Sequence, residues 1–299
     1  MGSVFSADVL AGKRVLITGG GTGLGRGVAK HLVDHGAIVH LWGRRPAVLE
    51  EAAAEASGGR KGVVFTDSVD VRDGAAVDAA MDRAWIIGPL TSVINNAAGN
   101  FIAPTESLST RAFEAVSSTV MNGTFNTTQA AGKRWIAAGL PGNVLSTLTT
   151  WVWTGSAFVV PSAMGKAAVH AMTMSLAVEW ARYGIRLNAL APGPIPTDYA
   201  WEMLNPTDSS SIGATQPDTI PAGRVGTIEE LANLTIFLLS DACDYLTGET
   251  IAMDGAQRLA GPGTFAGLAS LSNEDWAAAR AASTAASEAA KSQRSRVAP

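Results

Sequence analysis

The stretch Lys13-Arg14-Val15-Leu16-Ile17-Thr18-Gly19-Gly20-Gly21-Thr22-Gly23-Leu24-Gly25 decides the fold. The apolar run Val15 to Ile17, rich in β-branched residues, predicts a buried strand over 13–18. Glycines follow at once, and from 23 to 35 apolar residues recur at helical spacing. Glycines let the backbone turn sharply and approach a pyrophosphate closely. The first N–H groups of the helix, with its dipole, then favour negative charge there. A glycine cluster alone says little, but strand, turn and helix in this order predict a dinucleotide site. Gly19, Gly21, Thr22, Gly23, Leu24 and Gly25 are its expected phosphate-binding residues.

Working outward, short apolar runs alternate with amphipathic stretches for most of the chain. Strands are predicted at 37–42, 62–65, 92–95, 142–146, 185–189 and 250–253. Helices are predicted at 46–56, 74–84, within 110–138, at 162–183 and at 228–240. This alternation argues βαβ units, hence an α/β fold of Rossmann type: a doubly wound parallel sheet in a three-layer α/β/α sandwich. One such domain is expected over 12–264, after an N-terminal tail at 1–11. The irregular segment from Pro192 to Arg224 reads as a substrate lid centred on 196–224. The Ala-rich tail at 265–299 reads as a helix N-capped by Asn273 and packed on the domain or on a neighbouring subunit.

The end of the second predicted strand bears on the choice between NAD and NADP. A carboxylate there would bind the ribose 2′-hydroxyl and repel a 2′-phosphate. Here the sequence is Leu41-Trp42-Gly43-Arg44-Arg45. Arg44 and Arg45 offer two guanidiniums that grip a phosphate through charge-assisted hydrogen bonds, so NADP(H) is the expected cofactor.

Composition narrows the rest. A net charge of −4, with 16% charged residues, offers no basic surface for nucleic acid or an anionic membrane. No apolar run reaches the roughly 20 residues that span a bilayer. The lone Cys243 excludes an internal disulfide framework, reads as an inert structural thiol and suits a cytoplasmic protein. His31, His35, His40 and His170 lack metal-ligand spacing, so no metal site is expected; His31 and His35 read as exposed positions on a helix.

The turn has the spacing T-G-x-x-x-G-x-G, and Asp70-Val71, Asn95-Asn96-Ala97-Ala98-Gly99, Asn122, Lys166, Pro192-Gly193-Pro194-Ile195 and Asp254-Gly255 follow in order. On these motifs the chain resembles the short-chain dehydrogenases/reductases over about residues 11–263. The run from Ile94 through Asn100-Phe101 to Glu106, with Asn122-Gly123-Thr124 and Phe158 to Ala163, is similar to the 2,4-dienoyl-CoA reductases within that family. The resemblance implies further cofactor contacts: Asp70 and Val71 at the adenine, Asn96 and Ala97 near the ribose, Pro192, Gly193, Ile195 and Thr197 near the nicotinamide, and Lys166 on the nicotinamide ribose. It also implies an acyl-CoA substrate and a homotetramer.

Most members of the family carry Tyr four residues before the active-site Lys; here that place is Ser162. Ketone reduction needs a proton at the oxygen as hydride reaches carbon, and serine is a far weaker acid than an activated tyrosine. The dienoyl-CoA reductases share Ser-x-x-x-Lys, and their chemistry needs hydrogen-bond donors for a dienolate oxygen rather than a strong acid. The resemblance makes Asn122 one donor. The other would be a Tyr eleven residues before the Ser, and this chain has Trp151 there, whose indole donates a hydrogen bond but cannot act as an acid.

The expected catalytic set is thus Asn122, Lys166, Ser162 and Trp151. Substrate contacts are expected from Arg72, Phe101, Trp151 and the lid residue Tyr199, with Trp153, Phe158 and Trp201 as further aromatic candidates. Tyr183 and Tyr245 read as structural. Three functions stay open: an NADPH-dependent enoyl or dienoyl thioester reductase, a carbonyl reductase that recruits Tyr199 as proton donor, and an NADP(H)-binding homologue whose chemistry has lapsed at Trp151.

Overall fold

In a computed structural model of the chain, residues 4–197, 219–260 and 266–296 are described, with side chains of the last stretch given for 268–285. Strands β1 (Arg14–Thr18), β2 (Ile38–Gly43), β3 (Val64–Ser68), β4 (Ser92–Asn95), β5 (Gly142–Thr147), β6 (Ile185–Pro192) and β7 (Thr250–Met253) form a single sheet in the order β3-β2-β1-β4-β5-β6-β7. Every neighbouring pair is parallel. The chain winds outward in both directions from the β1–β4 boundary, so a crevice opens there beyond the carboxyl ends of the strands.

Side chains alternate across β1 as the pleat requires. Val15 and Ile17 enter the core that includes Leu32 and Val33 of helix α1 (Gly23–Asp34) and Ile236 of α8 (Ile228–Leu239). Leu16 points the other way. It joins Trp42 of β2, Met81 of α3 (Gly74–Ile87), Trp135 of α5 (Gly123–Ala138) and Trp180 of α7 (Val160–Trp180). Both faces are thus covered by helices, which is why the strands read as near-continuous apolar runs. Helix α2 (Pro46–Ser57) begins with proline at its first position, and α8 begins with a capping box between Thr227 and Glu230.

Three local features differ from the sequence expectation. The predicted helix over 110–138 is interrupted: α4 (Thr110–Ser117) runs into a π-helical turn, Ser118–Asn122, before α5 begins. Ser117, Ser118 and Thr119 hydroxyls all donate to carbonyls four residues back, at Phe113, Glu114 and Ala115, the bonding that loosens a helix here. After β5, a single helical turn α6 (Trp151–Thr154) forms where irregular chain was expected. His35 is buried rather than exposed, with Nδ1 on the His31 carbonyl at 2.7 Å.

Beyond β7 come the short α9 (Gln257–Ala260) and α10 (Asn273–Arg296). The α10 cap is Ser272, not Asn273: Ser272 Oγ accepts from Asp275 N, and Asp275 Oδ2 accepts from Ser272 N at 2.8 Å. The expected lid lies mostly outside the described residues, and Tyr199 and Trp201 with it.

Candidate active site

One cleft of about 390 Å³ runs along the carboxyl edge of the sheet. It gathers Gly19, Gly21, Thr22, Gly23 and Leu24 from the β1–α1 turn, and Arg44 and Arg45 after β2. Asp70 and Val71 after β3, Asn96, Ala97 and Asn100 after β4, and Thr147, Thr149 and Trp151 after β5 follow. Ser162 and Lys166 of α7 and Thr197 after β6 complete it. With Thr119 of the π turn, residues from eight separate chain segments meet, brought together chiefly because each parallel strand ends at the same edge.

The glycines divide into two physical roles. Gly19 has φ +66°, and a Cβ there would lie 2.9 Å from Ala97 Cα. One at Gly25 would lie 2.6 Å from Asn96 Nδ2 and 2.7 Å from the Gly19 carbonyl. Those two are required so that the turn can seat on β4, and Gly25 does not line the cleft. Gly21 and Gly23 line the cleft, and a Cβ at Gly21 would press on Val48 at 3.2 Å. Asn96 holds the arrangement from below, donating from Nδ2 to the carbonyls of Thr18 (3.2 Å) and Gly19 (3.3 Å). Thr18 Oγ1 in turn accepts the N–H groups of Asn96 and Ala97. Asn96 therefore fastens the turn in addition to lining the cleft.

At one end Arg44 is exposed and Arg45 half-buried, and among the described residues neither guanidinium has an ion-pair partner. Asp70 is held below the usual carboxylate range, chiefly by its hydrogen bonds from Arg72, with Arg44 contributing at longer range. Arg72 does not line the cleft and is paired: its Nε donates to Asp70 Oδ1 at 2.9 Å, across two residues of a tight turn.

At the other end Ser162 and Lys166 are buried, one helical turn apart on α7. Burial pushes the Lys166 ammonium down to about 8. Its Nζ donates to the Thr147 carbonyl, which anchors the side chain at the mouth of β5. Trp151 lines the cleft beside them, half-buried.

The structure distributes the remaining candidates differently from expectation. Asn122, at the end of the π turn, is exposed and does not line the cleft. Thr119, three residues earlier, does. Asn100 also lines it; its Oδ1 accepts the Phe101 N–H at 3.0 Å, which leaves Nδ2 as the donating end of the amide. Phe101 is half-buried outside the cleft lining. Pro192 ends β6, Ile195 is buried, and Gly193 packs so closely that a Cβ there would sit 2.7 Å from Asp254 Cα. Trp153 turns away, its ring under the Arg258 guanidinium at 4.7 Å, and Phe158 packs against Trp276 with the rings tilted by 43°. Tyr245 is fully exposed, whereas the Tyr183 hydroxyl accepts from Arg182. The buried Cys243 thiol donates to the Phe237 carbonyl, and burial raises its pKa.

The cleft fits a dinucleotide. Thr197 Oγ1 is buried with no hydrogen-bond partner among the described residues, and lies 3.7 Å from where a Cβ on Gly23 would stand. An orphaned hydroxyl over a helix N-terminus, unpaired arginines at one end and a buried lysine at the other form a donor set for a long polyanion.

Comparison with known proteins agrees. Residues 19–256 match the family described as Enoyl-(Acyl carrier protein) reductase. A Bacillus subtilis protein named a probable 2,4-dienoyl-CoA reductase is 43% identical over 249 residues, covering 83% of this chain and 97% of that one. A Caenorhabditis elegans protein with a similar name is 39% identical over 269 residues, covering 89% and 87%. Among solved structures, a short chain dehydrogenase from Bacillus anthracis superposes with a TM-score of 0.74 at 41% identity, covering 82% and 96%. A gluconate 5-dehydrogenase from Burkholderia cenocepacia, solved with NADP and tartrate, gives 0.77 at 30% identity, covering 85% and 99%. With a parallel seven-stranded sheet, a glycine-rich cleft and a Ser-x-x-x-Lys pair, the chain belongs to the short-chain dehydrogenase/reductase family and is similar to its 2,4-dienoyl-CoA reductases.

Proposed function

We propose that the protein is an NADPH-dependent reductase of a conjugated enoyl or dienoyl thioester, with an acyl-CoA as substrate. One observation carries this reading: where Ser162 and Lys166 converge, the cleft offers hydrogen-bond donors, with no tyrosine or histidine among the described lining residues and Asp70, the one carboxylate among them, on the β3 side and paired with Arg72. Such a site suits charge accumulating on a thioester oxygen and not the direct protonation of a ketone.

Bound NADPH would supply the hydride. The N–H groups of Gly21 to Leu24 cradle the pyrophosphate, and Arg44 and Arg45 take the 2′-phosphate. Asp70 and Val71 flank the adenine, and Thr197 faces the turn with an unpaired hydroxyl. Ile195 and the Pro192–Gly193 backbone support the nicotinamide side. Lys166 and Ser162 hold the nicotinamide ribose. Asn100 replaces Asn122 as the polarising residue: its Nδ2 donates to the thioester oxygen, and the Phe101 N–H fixes its orientation. Trp151 walls the acyl side. The reduced carbon skeleton then takes its proton at carbon from water.

Two supporting readings follow from the same family. The exposed apolar residues Met121, Phe125, Met164, Met174 and Val178, on the π turn, α5 and α7, suit a face buried between subunits of a homotetramer, which light scattering would measure. No helix among the described residues is long and apolar enough to cross a membrane, and the cytoplasm is the proposed location; a Danio rerio relative is named peroxisomal.

Incubating purified protein with NADPH and 2,4-dienoyl-CoA of several chain lengths tests the proposal. Consumption of NADPH that depends on the thioester is expected. Tight NADPH binding without turnover at any length would favour the lapsed-catalyst reading, which Trp151 alone supports.

A further inference from the structure

The family match ends at residue 256, yet the chain continues into a helix that reaches the active-site wall. Trp276 of α10 is only 6% exposed and joins Val159 and Leu268, both wholly buried, in a small apolar cluster. Ile102, Trp151, Phe158 and Leu271 pack against it. Trp151 is thus shared: one side lines the cleft next to Ser162 and Lys166, and the other rests on a group anchored by the C-terminal helix.

The contact is built on two fixed sides. On the α10 side, the reciprocal Ser272–Asp275 cap and the Trp276 N–H on the Ser272 carbonyl (3.1 Å) set where the indole projects. On the domain side, Phe158 adopts φ +64°, a strained conformation for a bulky residue, and its carbonyl accepts the Ala103 N–H at 3.0 Å. The Phe158 and Trp276 rings meet with centroids 4.8 Å apart. Strain of this kind persists where surrounding contacts over-determine it, and here the packed, tilted indole and the Ala103 bond do so. The bend immediately precedes the helix that carries Ser162 and Lys166.

We propose that the C-terminal helix is a specificity element of the active site. Trp276 positions Trp151 through the Phe158–Val159 bend and thereby sets the space left for the apolar part of the substrate. The inference rests on the proposed reduction of an acyl thioester. Trp276 is a positioning residue, since it does not itself line the cleft.

The test uses the full-length protein and its variants Trp276→Ala and Trp276→Phe, labelled with 5-fluorotryptophan. The fluorine resonance of Trp151 is identified by its loss in Trp151→Phe. Trp276→Ala should shift the Trp151 resonance and change the ratio of kcat/KM between long-chain and short-chain dienoyl-CoA by about tenfold. Affinity for NADPH should stay the same, and Trp276→Phe should restore both readouts. Wild-type protein that turns over no dienoyl-CoA removes the proposed function. An active wild-type protein whose Trp276→Ala variant keeps its chain-length ratio, or its Trp151 resonance, removes this inference. Should Trp276→Ala fail to fold, Trp276→Leu decides by the same two readouts.

Discussion

Replacing Lys166 by methionine should stabilise the cofactor-free protein while weakening NADPH binding. The ammonium is buried, and burial lowers its pKa from 10.5 to about 8. A shift of that size corresponds to about 3 kcal/mol against holding the charge in the folded state. Below pH 8 folded and unfolded chains both carry the proton, so the cost is paid in full. Between about 8 and 10.5 the unfolded chain binds the proton and the folded one does not, so wild-type stability rises with pH across that window. Methionine fills a similar volume without charge, but the Thr147 carbonyl loses its donor, which costs about 1–2 kcal/mol. The net gain near pH 7 is then about 1–2 kcal/mol. It should shrink and reverse as the pH approaches 10.5. Urea unfolding of both proteins across this range, without cofactor, measures the difference, while NADPH titration should show a loss of about 10–100-fold in affinity. A variant less stable than wild type at pH 7, or a difference that does not change with pH, would refute the reasoning.

His40 supplies the acid counterpart: its ring is buried, stacks on Phe65 at 5.1 Å, and is pushed down to about 4 by burial. The unfolded chain binds its proton first as pH falls from about 6.5 to 4, so about 3 kcal/mol of stability is lost across that window, and His40→Phe should flatten the slope seen in urea midpoints. Arg44→Ala and Arg45→Ala should each weaken NADPH by about tenfold or more and leave NADH affinity nearly unchanged; equal losses for both cofactors would dissociate the arginines from the 2′-phosphate. Trp151→Tyr should raise dienoyl-CoA turnover by about tenfold or more if the indole donates poorly, and an unchanged kcat would show that Asn100 suffices.

How legible each part was in the sequence follows from how local its cause is. The β1–turn–α1 unit was readable because its whole logic lies within adjacent residues, and Arg44 and Arg45 follow directly on the next strand. The doubly wound parallel sheet followed from the alternation of elements. Asn122 was carried over from the family resemblance alone; in the structure it is exposed at the end of the π turn Ser118–Asn122, while Thr119, three residues earlier, lines the cleft. Asn100 was within the quoted motif, but only the hydrogen bond to Phe101 shows which end of its amide is free. Arg72 was carried over from the resemblance; that it pairs with Asp70, two residues earlier, depends on the tight turn and shows only in the structure. Trp276 was beyond reach altogether, since its contact with Phe158 spans more than a hundred residues of sequence.

The central claim is that hydride goes to the carbon skeleton of a conjugated thioester and not to a carbonyl carbon. Turnover with NADPH deuterated at the transferred position, followed by mass and NMR analysis of the product, tests it directly. One deuterium on the acyl chain, with the thioester carbonyl intact, is the predicted result. Deuterium at a newly formed alcohol carbon would contradict the account and return the site to ketone chemistry.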